Sequence, residues 1–192
     1  MDNIFAIISN IITSRRSTKP AVMNGKKASD EQVKSLLELA DWAPTHGYTE
    51  PWRFTVYSNP PAFCHQHAEL YKQSIEPENF AEGVYNNLYT QGDKASHIII
   101  VTMKRGGLPK IPVIEEMEAA ACAVQNILLG ATALGMASFW STGGMALRPP
   151  MKDFLHLGQD DHVVGVIYLG YTDQHTEGSR NTPLDEKIIW FK

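Results

Sequence analysis

The chain has 192 residues, of which 43% are hydrophobic and 20% charged, a balance typical of a folded globular domain and not of a disordered chain. Its net charge of -4 argues against a nucleic-acid-binding protein that relies on a positive surface field. Cys64 and Cys122 are too few for a disulfide framework or a cysteine-based zinc site, so we expect no metal centre and a reducing cytoplasm. No apolar run approaches the roughly 20 residues that span a bilayer, so no membrane association is expected.

A basic turn follows the first predicted helix. Apolar residues at helical spacing predict that helix over residues 2–13. Because arginine presents a planar fork of donors that suits phosphate, and serine adds a neutral donor, the turn predicts an anion site. The simpler alternative is a solvated basic turn. The turn combines three cations with three hydroxyl groups: Ser14, Arg15, Arg16, Ser17, Thr18 and Lys19.

A polar loop connects the second predicted helix to the first strand. A capping box that begins at Ser29 predicts a helix over residues 29–42, and Pro44 ends it. Residues 43–52 then combine two prolines with a glycine, a histidine and an aromatic side chain, ahead of a strand over residues 52–57. Loops held by rigid elements commonly carry functional sites, so this loop is a candidate. A plain helix-to-strand connection is the alternative.

The middle of the chain, residues 62–96, is polar and loosely helical. We interpret it as a mobile excursion or as a cap over a site. His65 and His67 would be a poor metal pair on a helix, because side chains two residues apart diverge. Both histidines are therefore expected at the surface.

Three further strands and a long helix are predicted in the second half. Continuous apolar runs over residues 97–103 and 163–170 predict buried central strands, and residues 136–140 predict a shorter strand. The longest helix is predicted over residues 112–134. Because that helix is apolar on nearly all sides, most of its faces must be buried. It is either an ordinary core helix or one that a second subunit also covers.

Two features near the C-terminus concern ligands and partners. Residues 141–144 form a small Ser-Thr-Gly-Gly loop, which either lets backbone amides approach a ligand closely or is a plain glycine turn. Residues 188–191 are too apolar for a free tail, so they are predicted to dock on a sheet edge or a partner subunit.

The interleaved elements predict one α+β or α/β domain over residues 1–192, with four or five strands. Its donor-rich loops suit a planar ligand that carries a phosphate.

Motifs of one enzyme family occur in order along the chain. Residues 15–19 fit an RRS-x-R/K signature after the first helix, and residues 43–46 with 50–54 resemble AP-S/D/T followed by QPW-x-F. Residues 140–143 fit W-x-S/T-G, and residues 164–171 fit a late strand that ends in a Leu-Gly-aromatic triplet. Together these motifs cover nearly the whole chain. The chain resembles the nitroreductase family of FMN-dependent oxidoreductases, in particular its small, minimal subgroup.

The resemblance implies an α+β fold with a mixed central sheet flanked by helices, in an intertwined homodimer with FMN at the subunit interface. Arg15 and Ser17 would contact the phosphate and ribityl chain, and Arg16 or Lys19 would supply a cation at the polar edge of the flavin ring. The other cofactor contacts that it implies are Trp42 and His46 from the partner subunit, Trp140, Ser141, Thr142 and Gly143 beside the ring or phosphate, and Arg180 from the tail.

The activity implied by the resemblance is hydride transfer from NADH or NADPH through flavin N5 to a small acceptor, such as a nitroaromatic or a quinone. No protein acid or base is required, so no catalytic residue is assigned. An alternative is a protein that binds or delivers flavin without general reductase turnover. A third interpretation is a dimeric domain that binds no flavin.

Three positions depart from the family pattern. Glu50 stands where the family often has Gln, Tyr48 stands where members with larger pockets often have Asn, and Ser141 stands where some small members have Arg. These departures leave FMN binding as the expectation. The identity of the acceptor and the choice between NADH and NADPH stay open.

Overall fold

The computed structural model describes residues 2–192, in which a four-stranded sheet lies between two layers of helices. Neighbouring strands pair antiparallel in the order β1-β2-β4-β3. A parallel bridge between Ser17 and Ser138 adds a parallel component at the outer edge of β3. This arrangement confirms the predicted α+β fold. The strands are β1 (Trp52–Tyr57), β2 (His97–Met103), β3 (Ala137–Ser141) and β4 (His162–Gly170).

The helices cover both faces of the sheet. Alternate residues of β2 point to opposite faces, so Ile99 packs in the layer of α2 and α5 while Ile98 packs in the layer of α3, α4 and α6. Because both faces are covered, every residue of β2 is buried, as its continuous apolar sequence predicts. The helices are α1 (Asp2–Ser14), α2 (Asp30–Ala40), α3 (Pro60–Ser74), α4 (Glu82–Thr90), α5 (Val113–Ala133) and α6 (Pro149–Phe154).

The predicted start of α2 is confirmed. The Ser29 hydroxyl accepts from the backbone amide of Gln32 at 3.3 Å, and the Gln32 side-chain oxygen accepts from the backbone amide of Ser29 at 3.0 Å. These reciprocal bonds satisfy two amides that have no partner within the helix. The local sequence is therefore sufficient to position this helix end.

The middle of the chain is helical, as predicted. Most of residues 62–96 lie in two helices, α3 and α4, which pack on each other, and α3 also packs on the sheet. The expectation that His67 lies at the surface is wrong, because its side chain is buried with only 3% of the residue exposed. His67 lies one helical turn after Phe63, so it shares the buried face of α3. His65 points away and stacks on Tyr89, with ring centroids 3.8 Å apart.

Much apolar surface stays exposed on the single chain. Phe5 on α1 is 76% exposed, Trp42 after α2 is 87% exposed, and Phe191 near the C-terminus is 94% exposed. Ile8, Ile12 and Trp42 border one apolar groove, and contiguous apolar surface of this kind is typical of an interaction site in a folded protein. Within residues 2–192, no helix is long and apolar enough to cross a membrane.

Candidate functional site

The basic turn lies directly beside strand β3. Helix α1 ends at Ser14, and the backbone amide of Arg15 closes its last turn by donating to the Ile11 carbonyl at 3.2 Å. The backbone amide of Thr18 then donates to the Ser138 carbonyl at 2.8 Å. This bond holds the turn along the outer edge of the sheet, against a strand residue 120 positions later in the chain.

The two arginines of the turn have different environments. The Arg16 guanidinium donates to the Thr176 carbonyl at 3.0 Å and to the Thr13 carbonyl at 2.6 Å. A Cβ atom added to Gly178 would lie 2.5 Å from the Arg16 guanidinium carbon, so the tail is packed against this side chain. Arg15 is half-buried, and its guanidinium has no hydrogen-bond partner among the residues that the structure describes. Arg15 is therefore the arginine whose donors remain available to an anion.

A large cavity borders the basic turn at Lys19. It has a volume of about 690 Å³, within the usual range of ligand pockets. Lys19 borders it from the turn and Phe139 borders it from β3, while α4 contributes Asn86, Asn87 and Thr90. The sequence analysis did not identify these α4 residues as part of a site. The pattern that could have identified them is the pair of adjacent asparagine amides in a polar helix.

The far end of β3 leads into the small loop of residues 141–144. The Trp140 indole donates to the Val164 carbonyl at 3.2 Å, and a Cβ on Gly165 would overlap the indole ring. The Ser141 hydroxyl accepts from the backbone amide of Gly143 at 3.3 Å, and Thr142 and Gly143 are exposed. Three residues of strand span about 10 Å, so the basic turn and this loop lie at the two ends of one short strand.

A buried histidine lies beneath this loop. The His67 Nε2 atom accepts from the backbone amide of Met145 at 2.8 Å. Burial lowers the pKa of His67 to about 4, because the apolar surroundings disfavour the charged ring. The ring is therefore neutral at physiological pH.

Trp42 and His46 lie elsewhere on the chain. His46 Nδ1 is 2.6 Å from Glu115 Oε2 at the start of α5, and Trp42 lies beside α1. His46 lies just before β1, which is at the opposite edge of the sheet from β3, about 14 Å away at three strand spacings. One chain therefore does not bring His46 to the basic turn, whereas Trp42 borders a groove with Ile12, three residues before Arg15.

The loop that carries His46 is tightly held. The Thr45 hydroxyl accepts from the backbone amide of Glu50 at 3.2 Å, and Arg53 donates to the Glu50 carbonyl at 2.7 Å. Tyr48 and Glu50 adopt positive φ angles of 53° and 41°, which cost energy for residues with side chains. The Tyr48 ring is 90% exposed. A strained, anchored loop thus presents an aromatic ring to solvent.

Arg180 lies in the exposed C-terminal tail, and its guanidinium donates to the neighbouring Ser179 carbonyl at 2.9 Å. Gly178, two residues earlier, packs against Arg16, so the tail passes the basic turn just before Arg180.

One arrangement of side chains resembles a hydrolase triad but cannot act as one. Ser96 Oγ is 2.9 Å from His97 Nδ1, and His97 Nε2 is 2.8 Å from Asp30 Oδ1. Ser96 is fully buried, and its hydroxyl also accepts from the backbone amide of Ala28 at 2.7 Å. A nucleophile must reach its substrate, so this chain of bonds ties α2 to β2 and has no catalytic role.

Comparisons with known proteins agree with one another. Residues 12–171 match the model of the "Nitroreductase family". The Escherichia coli K12 protein named "Putative NAD(P)H nitroreductase YdjA" is 26% identical over 157 residues, 80% of this chain and 82% of that protein. A nitroreductase-like family protein from Bacillus cereus has a TM-score of 0.81 at 26% identity, over 96% of both chains. A nitroreductase with bound FMN from Bacteroides fragilis has the same fold, with a TM-score of 0.68 at 22% identity, over 96% of this chain and 98% of the other.

Proposed function

Because the chain belongs to the nitroreductase family, we propose that it is an FMN-dependent oxidoreductase that uses NADH or NADPH to reduce a small acceptor. The acceptor classes are nitroaromatics and quinones. The hydrogen bond from Thr18 to Ser138 carries this proposal, because it holds the basic turn beside the strand that ends in the loop of residues 141–144. We also propose that residues 1–192 act as one FMN-binding domain.

The side chains around β3 fit FMN. The Arg15 guanidinium would hold the phosphate, because its donors have no partner within the described chain and a charge-assisted pair is among the stronger hydrogen bonds. The Ser17 hydroxyl would hold the ribityl chain. Hydroxyl and amide groups of residues 141–143 would contact the ring or its phosphate tail.

Lys19 is our choice for the cation at the polar edge of the flavin ring. It borders the large cavity together with the amide groups of Asn86 and Asn87, which supply both donors and acceptors. The donors of Arg16 are instead bonded to the carbonyls of Thr13, Arg15 and Thr176. A positive charge near the ring would stabilise the negative charge that reduction places there.

When bound, FMN would supply the chemistry of hydride and electron transfer between a nicotinamide and the acceptor. The contribution of the chain is to bind and orient the cofactor and both substrates. We assign no acid-base residue to the protein.

A homodimer would complete the site. His46 lies across the sheet from the basic turn of its own chain, so it would reach a flavin only in a partner subunit. Trp42 is exposed beside α1, on the surface that such a partner would cover. The exposed apolar side chains of α1, Trp42 and the C-terminal tail supply a surface for such a partner. We therefore propose that FMN binds at a subunit interface, and that Arg180 reaches it from the tail.

The test is the absorption spectrum of the purified protein, followed by turnover. We expect a yellow protein that takes up FMN and oxidises NADH or NADPH when a nitroaromatic or quinone is added. Bound FMN without turnover would instead support a flavin-binding or flavin-delivery role. A colourless protein that takes up no FMN would contradict both.

A further inference from the structure

Among the residues that the structure describes, His67 makes one polar contact, and that contact is with the backbone after the small loop. Its Nε2 atom accepts from the Met145 amide at 2.8 Å. In a neutral imidazole the other nitrogen must then carry the proton, so Nδ1 is a donor. Nδ1 is buried and has no hydrogen-bond partner among the residues that the structure describes.

An unpartnered buried donor is costly, so packing alone does not account for a histidine here. Leaving such a group unsatisfied costs about 1–3 kcal/mol, and an apolar side chain would fill the same space without that cost. The ring already stacks in apolar surroundings, with the Phe63 centroid 5.3 Å away. What a leucine or phenylalanine could not provide is the acceptor for the Met145 amide.

Gly144 shows that the loop rests on this ring. Its φ is +62°, and an added Cβ would lie 2.9 Å from His67 Nε2 and 2.8 Å from a Leu88 methyl carbon. Position 144 therefore requires glycine for its conformation and for space. The backbone passes close over the histidine and is bonded to it one residue later.

We propose that His67 is a positioning residue, which holds the backbone of residues 141–145 in the shape that presents this loop to the cofactor. This inference rests on the proposed function, because the loop is one of the segments assigned to FMN. His67 touches no cofactor or substrate in this role. It acts through the Met145 amide.

The direct measurement is hydrogen exchange at the Met145 amide in the flavin-free protein. We expect this amide to be protected in wild type and to exchange faster in His67→Phe, which keeps a ring but removes the acceptor. His67→Gln places an amide oxygen near the position of Nε2, so it should restore protection. Phe63→Leu is the matched control, because it weakens the same buried face of α3 and leaves the acceptor in place.

The second measurement is FMN affinity, by flavin fluorescence titration. A net hydrogen-bond contribution of about 0.5–1.5 kcal/mol corresponds to roughly two- to thirteenfold weaker binding in His67→Phe, with recovery in His67→Gln. If His67→Phe does not fold, His67→Asn replaces it, because the asparagine amide is too short to reach Met145.

The outcomes separate the two proposals. A wild-type protein that takes up no FMN overturns the proposed function, whatever the exchange rates. The positioning role alone is overturned if FMN binds equally well to wild type and to His67→Phe and the Met145 amide is protected in both. A third outcome also overturns the positioning role: exchange throughout α3 is as fast in Phe63→Leu and His67→Gln as in His67→Phe. The effect would then be one of general packing.

Discussion

The backbone amide of Thr18 and the carbonyl of Ser138 are joined by a 2.8 Å hydrogen bond. This bond and the parallel bridge between Ser17 and Ser138 align the basic turn with β3, the short strand that leads into the loop of residues 141–144. The proposed cofactor site follows from that alignment.

Arg15→Ala should reduce FMN affinity about 10- to 100-fold, because a hydrogen bond to a charged group contributes about 1.5–3 kcal/mol. The measurement is flavin occupancy after purification, with a fluorescence titration of added FMN. Lys34→Ala is the control, since it removes one exposed positive charge from α2, away from β3. Full flavin occupancy in Arg15→Ala would show that the phosphate assignment is wrong.

Arg16→Ala should release the tail and should weaken FMN binding less than Arg15→Ala does. The Arg16 guanidinium bonds the Thr176 carbonyl and packs against Gly178, so its loss removes an anchor of residues 174–180. Limited proteolysis should show faster cleavage within that segment. An unchanged cleavage rate, or a loss of FMN as large as that of Arg15→Ala, would contradict the division of roles between the two arginines.

The free energy of unfolding should fall on acidification because of His67. Its pKa is lowered to about 4 in the folded chain, while the unfolded chain has the ordinary value near 6.5. The unfolded state therefore binds a proton that the folded state excludes. The stability present above pH 6.5 should decrease by about 2 kcal/mol between pH 7 and pH 5, and the decrease should end near pH 4.

Urea unfolding of wild type and His67→Gln across this pH range measures that contribution. The variant has no titrating group at position 67, so its stability should depend less on pH by about the same 2 kcal/mol. Parallel pH profiles for the two proteins would contradict the buried, neutral state of His67.

Arg105→Ala should destabilise the fold by about 3–5 kcal/mol, because it leaves a buried carboxylate without its partner. Glu116 is only 1% exposed, bonds Arg105, and accepts from the backbone amide of Gly106 at 3.0 Å. Urea denaturation gives the loss. Glu116→Gln should cost less, since Arg105 is partly exposed and can regain water. A larger loss for Glu116→Gln than for Arg105→Ala would contradict this account.

Ile8→Asp should shift the protein from dimer towards monomer and reduce flavin retention. Ile8 is exposed on the apolar face of α1, where it borders a groove with Ile12 and Trp42. A charge there opposes burial against a partner. Light scattering after size exclusion gives the mass. Gln66→Asp adds the same charge to an exposed position of α3, in the opposite helix layer, and should leave the mass unchanged. A wild-type monomer that binds FMN fully would contradict the interface site.

Local pattern in the sequence was sufficient for the elements of this fold. The Ser29 capping box marks the start of α2, and the β-branched run of residues 97–103 marks a strand covered on both faces. The motifs around Arg15 and Trp140 indicated the family. Each of these sequence patterns lies within a few residues of the structure that it predicts, so a short stretch of sequence contains the physical cause of that structure.

Tertiary contacts alone decided which of these residues act together. His67 lies in a polar stretch and would be a surface residue by composition, but packing of α3 on the sheet buries it beneath a loop 78 residues later in the chain. Arg16 has the same residue type as Arg15, yet its donors bond a tail 160 residues away. Pairings over such distances depend on how layers stack, which no local periodicity encodes. The sequence by itself thus determined the strands, the helix ends and the family, whereas only the folded chain separated the arginine available to an anion from the one that anchors the tail.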